Sequence, residues 1–395
     1  MQEENMVYKC ILCGSDSLEV LKTTKQKVYV TGDRKSFNVG NRNFEKVICK
    51  SCGTVQFLQN ADHKNAVEEV FRNYDVMHMK SWSINIDGRK CYKPQLEVEY
   101  ERIRAAMRLP RMGRMIDIGC GGGEALFQFH RICPEWELYG MDIGEQFREA
   151  VIEREGVKNF FASLEEVRRS GLQFDFISIN HMLCLADNPV QILESVYDVL
   201  TEDGIFFIMD TDYEVHPWLL CDIENSCFFT NDHMRNVISA FGFEILDIAY
   251  EHEKKDIVVF SKKSNDQQKV FFDLYQTNKK IYEQQIDFLN NSIDIIREYV
   301  TKNKHIGIFG TSIAGVWLSE IITKGDMACD RKDIFYIEED EEILRRETGV
   351  NGYPICRLEE IAEEAIIFLP FPRYIAESIK RRCMQEFSNC EFIVL

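Results

Sequence analysis

Between residues 97 and 263, short apolar runs alternate with longer stretches whose apolar positions recur at three- and four-residue spacing. The runs 115–118, 138–141, 174–180, 204–209 and 257–260 have the length and the β-branched and aromatic content of buried strands, and the stretches between them have the period of helices. This alternation predicts an α/β fold with a doubly wound, mostly parallel sheet, which holds ligands at the carboxyl ends of its strands. On either side the pattern changes. Residues 27–30, 37–39 and 46–48 alternate polar with apolar, predicting a small N-terminal β module. Residues 265–303 lack glycine and proline and place Phe271, Leu274, Ile281, Ile286, Leu289, Ile293 and Ile296 at helical spacing, predicting one or two connecting helices. Strand-like runs return at 306–309, 333–337 and 365–369, so a second Rossmann-like α/β domain is expected. The boundaries implied are 1–75, 76–263, 264–303 and 304–395.

The first core run ends at an acid, Asp117, and then breaks into Gly119, Gly121, Gly122 and Gly123 before Glu124. Glycines let a backbone approach a ligand with no Cβ in the way, and a helix starting near Glu124 offers unpaired N–H groups. The next run ends at Asp142, nineteen positions after Gly123, where a carboxylate can accept both hydroxyls of a ribose. The two features together indicate an adenosine-type cofactor. A dinucleotide turn of the form GxGxxG starting at Gly119 would need glycine at position 124, and the carboxylate of Glu124 would repel a pyrophosphate, which disfavours NAD and FAD. Asp117 followed by Gly119-x-Gly121-x-Gly123 instead resembles motif I of class I S-adenosylmethionine (SAM) methyltransferases, where that end of the pocket receives the cationic methionine half. The expected cofactor set is Asp117, Gly119, Cys120, Gly121, Gly123, Asp142 and Ile143, with Asn180 and His181 at the end of the run 174–180.

Two CxxC knuckles, Cys10 with Cys13 and Cys49 with Cys52, stand thirty-five residues apart, each followed by a glycine, Gly14 or Gly53. In each knuckle a tight turn aims two thiolates at one ion, and four thiolates suit a closed tetrahedral zinc site. With every ligand a protein sulfur, such a zinc is structural. Its loss is expected to destabilise the N-terminal module and leave the core cofactor site intact.

At 395 residues the chain is too long for one ordinary domain. A net charge of −18 argues against broad binding to nucleic acid or to anionic membrane, since counterion release needs a basic face. Met1-Gln2-Glu3-Glu4 does not read as a signal peptide and no apolar run reaches the roughly 18 residues that span a bilayer, so a cytoplasmic location is expected. In a reducing compartment the 14 cysteines read as metal ligands or buried thiols. The run Glu338 to Glu342 reads as a solvated face.

A two-knuckle zinc module, a SAM-type core and a glycine-turn α/β module, in that order, resemble the bacterial sugar C-methyltransferase family, which acts on nucleotide-linked deoxyketosugars. The resemblance rests on Cys10-x-x-Cys13-Gly14, Cys49-x-x-Cys52-Gly53-Thr54-Val55-Gln56, Asp117-Ile118-Gly119-Cys120-Gly121, and Ile306 to Gly315 with Gly352-Tyr353-Pro354-Ile355. It implies a small-molecule acceptor, a nucleotide sugar, deprotonated beside its ketone and methylated at carbon; a monomer or homodimer is expected. The family's signature Tyr-x-Glu-His-x-x-Tyr-Phe aligns with Asp222-Ile223-Glu224-Asn225-Ser226-Cys227-Phe228-Phe229. Glu224 is kept, the family's base position holds Asn225, and a second family histidine falls on Cys184. An amide cannot take a proton at neutral pH. His181, Glu224, Asp222 and His78 are therefore the candidate catalytic groups, with His181 first because the fold places it, and O- or N-methylation stands beside C-methylation. Two other readings stay open: a SAM-binding protein without turnover, and a nicotinamide enzyme using Ala314-Gly315 and Glu338.

Overall fold

The computed structural model describes residues 8–72, 83–85, 92–107, 109–246, 256–264, 270–300, 305–324, 334–361 and 364–395. Its centre is a seven-stranded sheet of β1 (Arg114–Ile118), β2 (Glu137–Met141), β3 (Val157–Phe161), β4 (Phe174–Asn180), β5 (Leu200–Thr211), β6 (Phe243–Leu246) and β7 (Asp256–Lys263). The strand order is β3-β2-β1-β4-β5-β7-β6. Strands β3 through β5 run parallel, whereas β7 is antiparallel to β5 and β6 is antiparallel to β7. Met115 to Ile118 are all buried, because helices cover both faces of a parallel sheet; this is why the strand reads as an unbroken apolar run. The chain order reverses between β1 and β4, which opens a crevice at their carboxyl ends. Helix α1 (Glu124–Ile132) follows β1 and buries Ala125, Leu126, Phe129 and Ile132 against the sheet.

The N-terminal module is less separate than its sequence suggests. Its strands Leu18–Val20, Lys46–Cys49 and Val55–Phe57 form an antiparallel sheet whose fourth strand, Cys227–Phe228, comes from the core segment between β5 and β6. The expected connector is a single helix, α2 (Tyr275–Val300), and it is part of the core. Its inner face, Tyr282, Ile286, Leu289, Ile293 and Ile296, packs in one cluster with Tyr29 and Phe57 of the N-terminal module, Trp218 of the central segment and Trp317 of the C-terminal unit. A boundary drawn from composition cannot anticipate this, because a helix that is amphipathic in sequence does not name its partners.

The C-terminal unit contains β8 (Ile306–Phe309), α3 (Ile313–Thr323), β9 (Ile334–Ile337), β10 (Tyr353–Cys356), β11 (Ala365–Leu369) and β12 (Cys390–Val394). The sheet runs Gly349–Val350, β10, β9, β8, β11, β12, with only the outermost Gly349–Val350 pair antiparallel. Among the described residues no helix is long and apolar enough to cross a membrane.

Candidate cofactor pocket and four-cysteine cage

At the end of β1 the backbone turns through Gly119, Gly121 and Gly123, all left-handed at φ 79°, 46° and 78°. Only glycine takes up this sequence of angles without strain. Gly119 N and Cys120 N donate to Met141 O at 2.8 and 3.0 Å, which fastens the turn to β2. Cys120 points inward, its thiol pushed up by burial and its Sγ 2.8 Å from where a Cβ on Gly140 would lie, so only its backbone faces the crevice. Asp142, one residue beyond β2, accepts Gly121 N at 2.9 Å on one oxygen and Gly144 N at 2.8 Å on the other. Each carboxylate oxygen has two lone pairs, so this carboxylate is oriented by backbone donors and still able to accept from a diol. Beside it Ile143 is 81% exposed, an isolated apolar side chain next to the turn.

Asp117 differs from its expected role. It is 2% exposed, and its Oδ1 accepts from Ser178 Oγ and from Asn180 Nδ2, the latter at 3.0 Å. Burial pushes its carboxyl up to about 7. Asp117 thus acts on the crevice through Asn180, whose orientation it sets. Asn180 Oδ1 is buried and has no hydrogen-bond partner among the described residues. The Tyr100 hydroxyl, also buried and without a partner at hydrogen-bond geometry among the described residues, lies close to the same amide.

His181 follows β4 in the left-handed region at φ 49° and donates its N–H to Met209 O at 2.8 Å. A non-glycine residue there costs about 1–3 kcal/mol of strain, a cost met most often at functional sites. The next residue, Met182, lies over the glycine turn, its Cγ 2.5 Å from where a Cβ on Gly119 would be. His181 Nδ1 is 3.4 Å from Thr211 Oγ1 at the end of β5, and Thr211 Oγ1 is 3.4 Å from Asp256 Oδ1 at the start of β7.

The nine residues expected at the cofactor thus gather at the ends of β1, β2 and β4. Glu224 Oε1 accepts Gly32 N at 2.7 Å and so braces the central segment against the N-terminal module, while Asp222 Oδ1 accepts Glu224 N at 3.1 Å within its own segment. Burial pushes Asp222 up to about 7. Asn225 lies near enough to counter part of that rise, yet its Nδ2 and Oδ1 meet no partner at hydrogen-bond geometry among the described residues. Ser226 N donates to Cys184 O at 2.7 Å, which ties this segment to the turn after His181. His78 lies outside the described residues.

The four knuckle cysteines do converge. Cys10 Sγ lies 3.6 Å from Cys52 Sγ, Cys13 Sγ lies 3.5 Å from Cys49 Sγ, and all four sulfurs fall within 4.8 Å of one another. Zinc–thiolate bonds of about 2.3 Å in a tetrahedron set the sulfurs roughly 3.8 Å apart, so the cage has the right size and donor set. Hydrogen bonding with Cys13 draws the Cys10 thiol down to about 7, and that with Cys10 pushes Cys52 up. Gly14 and Gly53 close the knuckles with N–H bonds to Cys10 O and Cys49 O at 3.0 and 2.9 Å. Around the cage, Cys52 Sγ meets Thr54 Oγ1 at 3.0 Å, and Thr54 Oγ1 meets His233 Nε2 at 3.2 Å. Residues such as Ser178, Thr211, Asp256 and His233 carry no sequence signal, since each becomes relevant only where separate elements meet.

Residues 92–248, a stretch that contains β1 to β6, match a family model described as a methyltransferase domain. The middle of this chain is thus similar to a methyltransferase domain. Its strands form an α/β fold around the mostly parallel seven-stranded sheet described above. Among curated proteins, the chain is similar to malonyl-[acyl-carrier protein] O-methyltransferase of Bacillus cereus, with 26% identity over 103 residues, covering 26% of this chain and 38% of that protein. It is also similar to an uncharacterized protein of Methanocaldococcus jannaschii, with 31% identity over 119 residues, covering 29% of this chain and 55% of that one. The chain therefore spans less than two thirds of either relative. Among solved structures, the plantazolicin methyltransferase BpumL in complex with a monoazolic desmethylPZN analog and SAH aligns with a TM-score of 0.36 and 14% identity, covering 43% of this chain and 82% of that one.

Proposed function

We propose that this protein binds SAM in the crevice at the carboxyl ends of β1, β2 and β4 and moves its methyl group to a nucleotide-linked sugar or a related small molecule. The observation that carries the reading is Asp142, a carboxylate held by two backbone donors at the glycine turn beside the exposed Ile143. The residues suit the cofactor from end to end. Asp142 would accept the ribose hydroxyls, Ile143 would lie on the adenine, and Asn180 Oδ1 would accept from the methionine ammonium, with Asp117 holding the amide in place from behind. When bound, SAM supplies a methyl group on a sulfonium, activated for attack by a nucleophile.

His181 is the group that would receive the acceptor's proton. It directly follows β4, and the residues after it reach both ways: Met182 lies over the glycine turn and Cys184 O accepts Ser226 N. Asn225 has no lone pair basic enough for that task and serves as a hydrogen-bonding group for the acceptor. For a hydroxyl or amine acceptor, alignment with the methyl group supplies most of the rate and His181 the proton transfer; for a carbon acceptor the same histidine would have to remove a proton beside a ketone. The four-cysteine cage is read as a structural zinc site, and the C-terminal unit as a second Rossmann-like domain that covers the acceptor. Titration calorimetry with SAM, followed by incubation with a panel of nucleotide-linked deoxyketosugars and detection of S-adenosylhomocysteine, tests the reading. Absence of SAM binding at saturation would remove it. Binding without consumption of SAM across the panel would turn it into a SAM-sensing protein without turnover.

A further inference from the structure

We propose that Thr211 and Asp256 are positioning residues that fix the tautomer of His181, with the proton on Nδ1 and the lone pair on Nε2. The inference rests on the reading of His181 as the base, but its observations are independent of the cofactor. Thr211 has one hydroxyl proton and two lone pairs. Asp256 Oδ1, 3.4 Å away, is a carboxylate oxygen and can only accept, so the hydroxyl proton points there. That leaves Thr211 Oγ1 an acceptor toward His181 Nδ1, also 3.4 Å away, and the imidazole must present N–H at that nitrogen. Both contacts are long, as catalytic hydrogen bonds often are before a substrate arrives.

The surroundings keep this chain of three groups in register. Thr211 N donates to Asp210 Oδ1 at 2.8 Å, and Thr211 pairs with Asp256 across the β5–β7 ladder, so the hydroxyl and the carboxylate are set by strand pairing. His181 is held by its own N–H on Met209 O, two residues before Thr211 on the same strand. A histidine in a strained left-handed backbone, tied to one strand through both its main chain and its ring, has its ring plane dictated by the sheet. The arrangement shares its logic with a serine–histidine–aspartate triad, in that a remote carboxylate selects which ring nitrogen is basic. Here the message passes through a hydroxyl. The three residues come from the turn after β4, from β5 and from β7, at 181, 211 and 256 in sequence, so no motif contains them.

Nitrogen-15 NMR of histidine-labelled protein reads the tautomer directly, with His181 identified by the signals missing from His181→Asn. In the unaltered protein, free and with SAM, His181 is expected to show a protonated Nδ1 and a bare Nε2. Thr211→Val removes the acceptor and should move at least half of the His181 population to the Nε2–H tautomer; Thr211→Ser should restore the original. Asp256→Asn can donate to Oγ1, turns the hydroxyl toward Nδ1 and should shift His181 the same way as Thr211→Val. A predominantly Nε2–H His181 in the unaltered protein, or a Thr211→Val spectrum unchanged at His181, would overturn the proposal. SAM calorimetry on the same samples separates the two readings: no Nδ1–H preference in the unaltered protein, or none lost in Thr211→Val, with normal SAM binding removes only the relay, whereas absent SAM binding with the tautomer behaviour as expected removes only the function proposed above.

Discussion

Two glycine turns end two parallel strands in this chain, and they are used in opposite ways. At the core turn, the acid of the adjacent strand, Asp142, is oriented by backbone donors, and Ile143 beside it is exposed. At the C-terminal turn the corresponding acid is Glu338, just after β9, and its carboxylate is already committed. It accepts from Thr311 Oγ1 at 2.9 Å, Glu339 N at 2.8 Å and Asp340 N at 3.0 Å, and burial pushes its carboxyl up. Phe371 covers Gly310, with its Cζ 2.7 Å from where a Cβ would be, and Gly315 lets α3 approach Gly310 O to 2.6 Å from its own missing Cβ. Arg34 of the N-terminal module then bonds both Thr311 and Glu347. The same strand, glycine turn and acid therefore form a cradle in one unit and a packing joint in the other, and the geometry gives the nicotinamide reading of the C-terminal turn no support. A glycine in a turn grants close approach; what approaches is decided by the neighbours.

The largest expected effect falls on what both regions lean against. Cys10, Cys49 and Cys52 pack in one cluster with Ile118, Ile179 and Phe229 of the core, and Gly53 O accepts from Asn278 Nδ2 of α2 at 2.9 Å. Zinc release by chelation or by Cys10→Ser should therefore lower the stability of the whole molecule by roughly 5 kcal/mol or more, and not of the N-terminal module alone. Calorimetric unfolding with zinc quantification checks this. A Cys10→Ser protein that keeps one equivalent of zinc, or melts where the parent does, contradicts it.

Next is the contrast between the two acids. Asp142→Ala should weaken SAM binding by roughly 10- to 100-fold, the worth of one or two hydrogen bonds to a charged acceptor. Glu338→Ala should leave SAM affinity within a factor of about two and reduce stability, since it strands two backbone donors. Calorimetric titration of both variants decides; equal effects on SAM would erase the distinction drawn between the turns.

Smaller again is the pair of glycine replacements. Gly119→Ala places a Cβ in a left-handed residue against Met182 and should cost about 1–2 kcal/mol of stability along with SAM affinity. Gly310→Ala meets only the Phe371 ring and should cost stability alone. Urea unfolding and SAM titration of the two variants give the comparison.

The smallest effect is a pH slope. Asp117 is raised to about 7 in the folded protein, above the roughly 3.9 of an unfolded aspartate. Between those values the native form keeps a proton that the unfolded chain has lost, so this group makes stability fall as pH rises, by at most about 1.4 kcal/mol per pH unit, with no further change above about 7. Asp117→Asn should flatten that part of the decline between pH 5 and 6. Identical slopes in urea titrations of the two proteins would show that Asp117 is not held protonated.

The core was legible because its signals are local. An apolar run, a glycine turn and a spaced acid are covalently consecutive, and so are the two cysteines of each knuckle; the strands β1, β2 and β4 appear within a residue or so of the runs that announced them. Short or polar-edged strands such as β3 and β12 left little trace, because pairing with a neighbour and not composition makes them strands. Asp222 and Glu224 were drawn into the site by alignment with a motif, and the structure places them on Gly32 and on their own backbone.

What the sequence alone determined is the chemistry on offer: a glycine turn after an acid-ended strand, a second acid at the end of the next strand, and four thiolates in two pairs. Tertiary structure alone decided that α2 and the cage belong to one shared core, that Asp117 works from behind Asn180, and that Thr211 and Asp256 reach His181 from two other strands. The physical reason is range. Backbone conformation and ligand spacing are set by neighbours along the chain, whereas a proton's position on an imidazole is set by groups that only folding brings within hydrogen-bond distance.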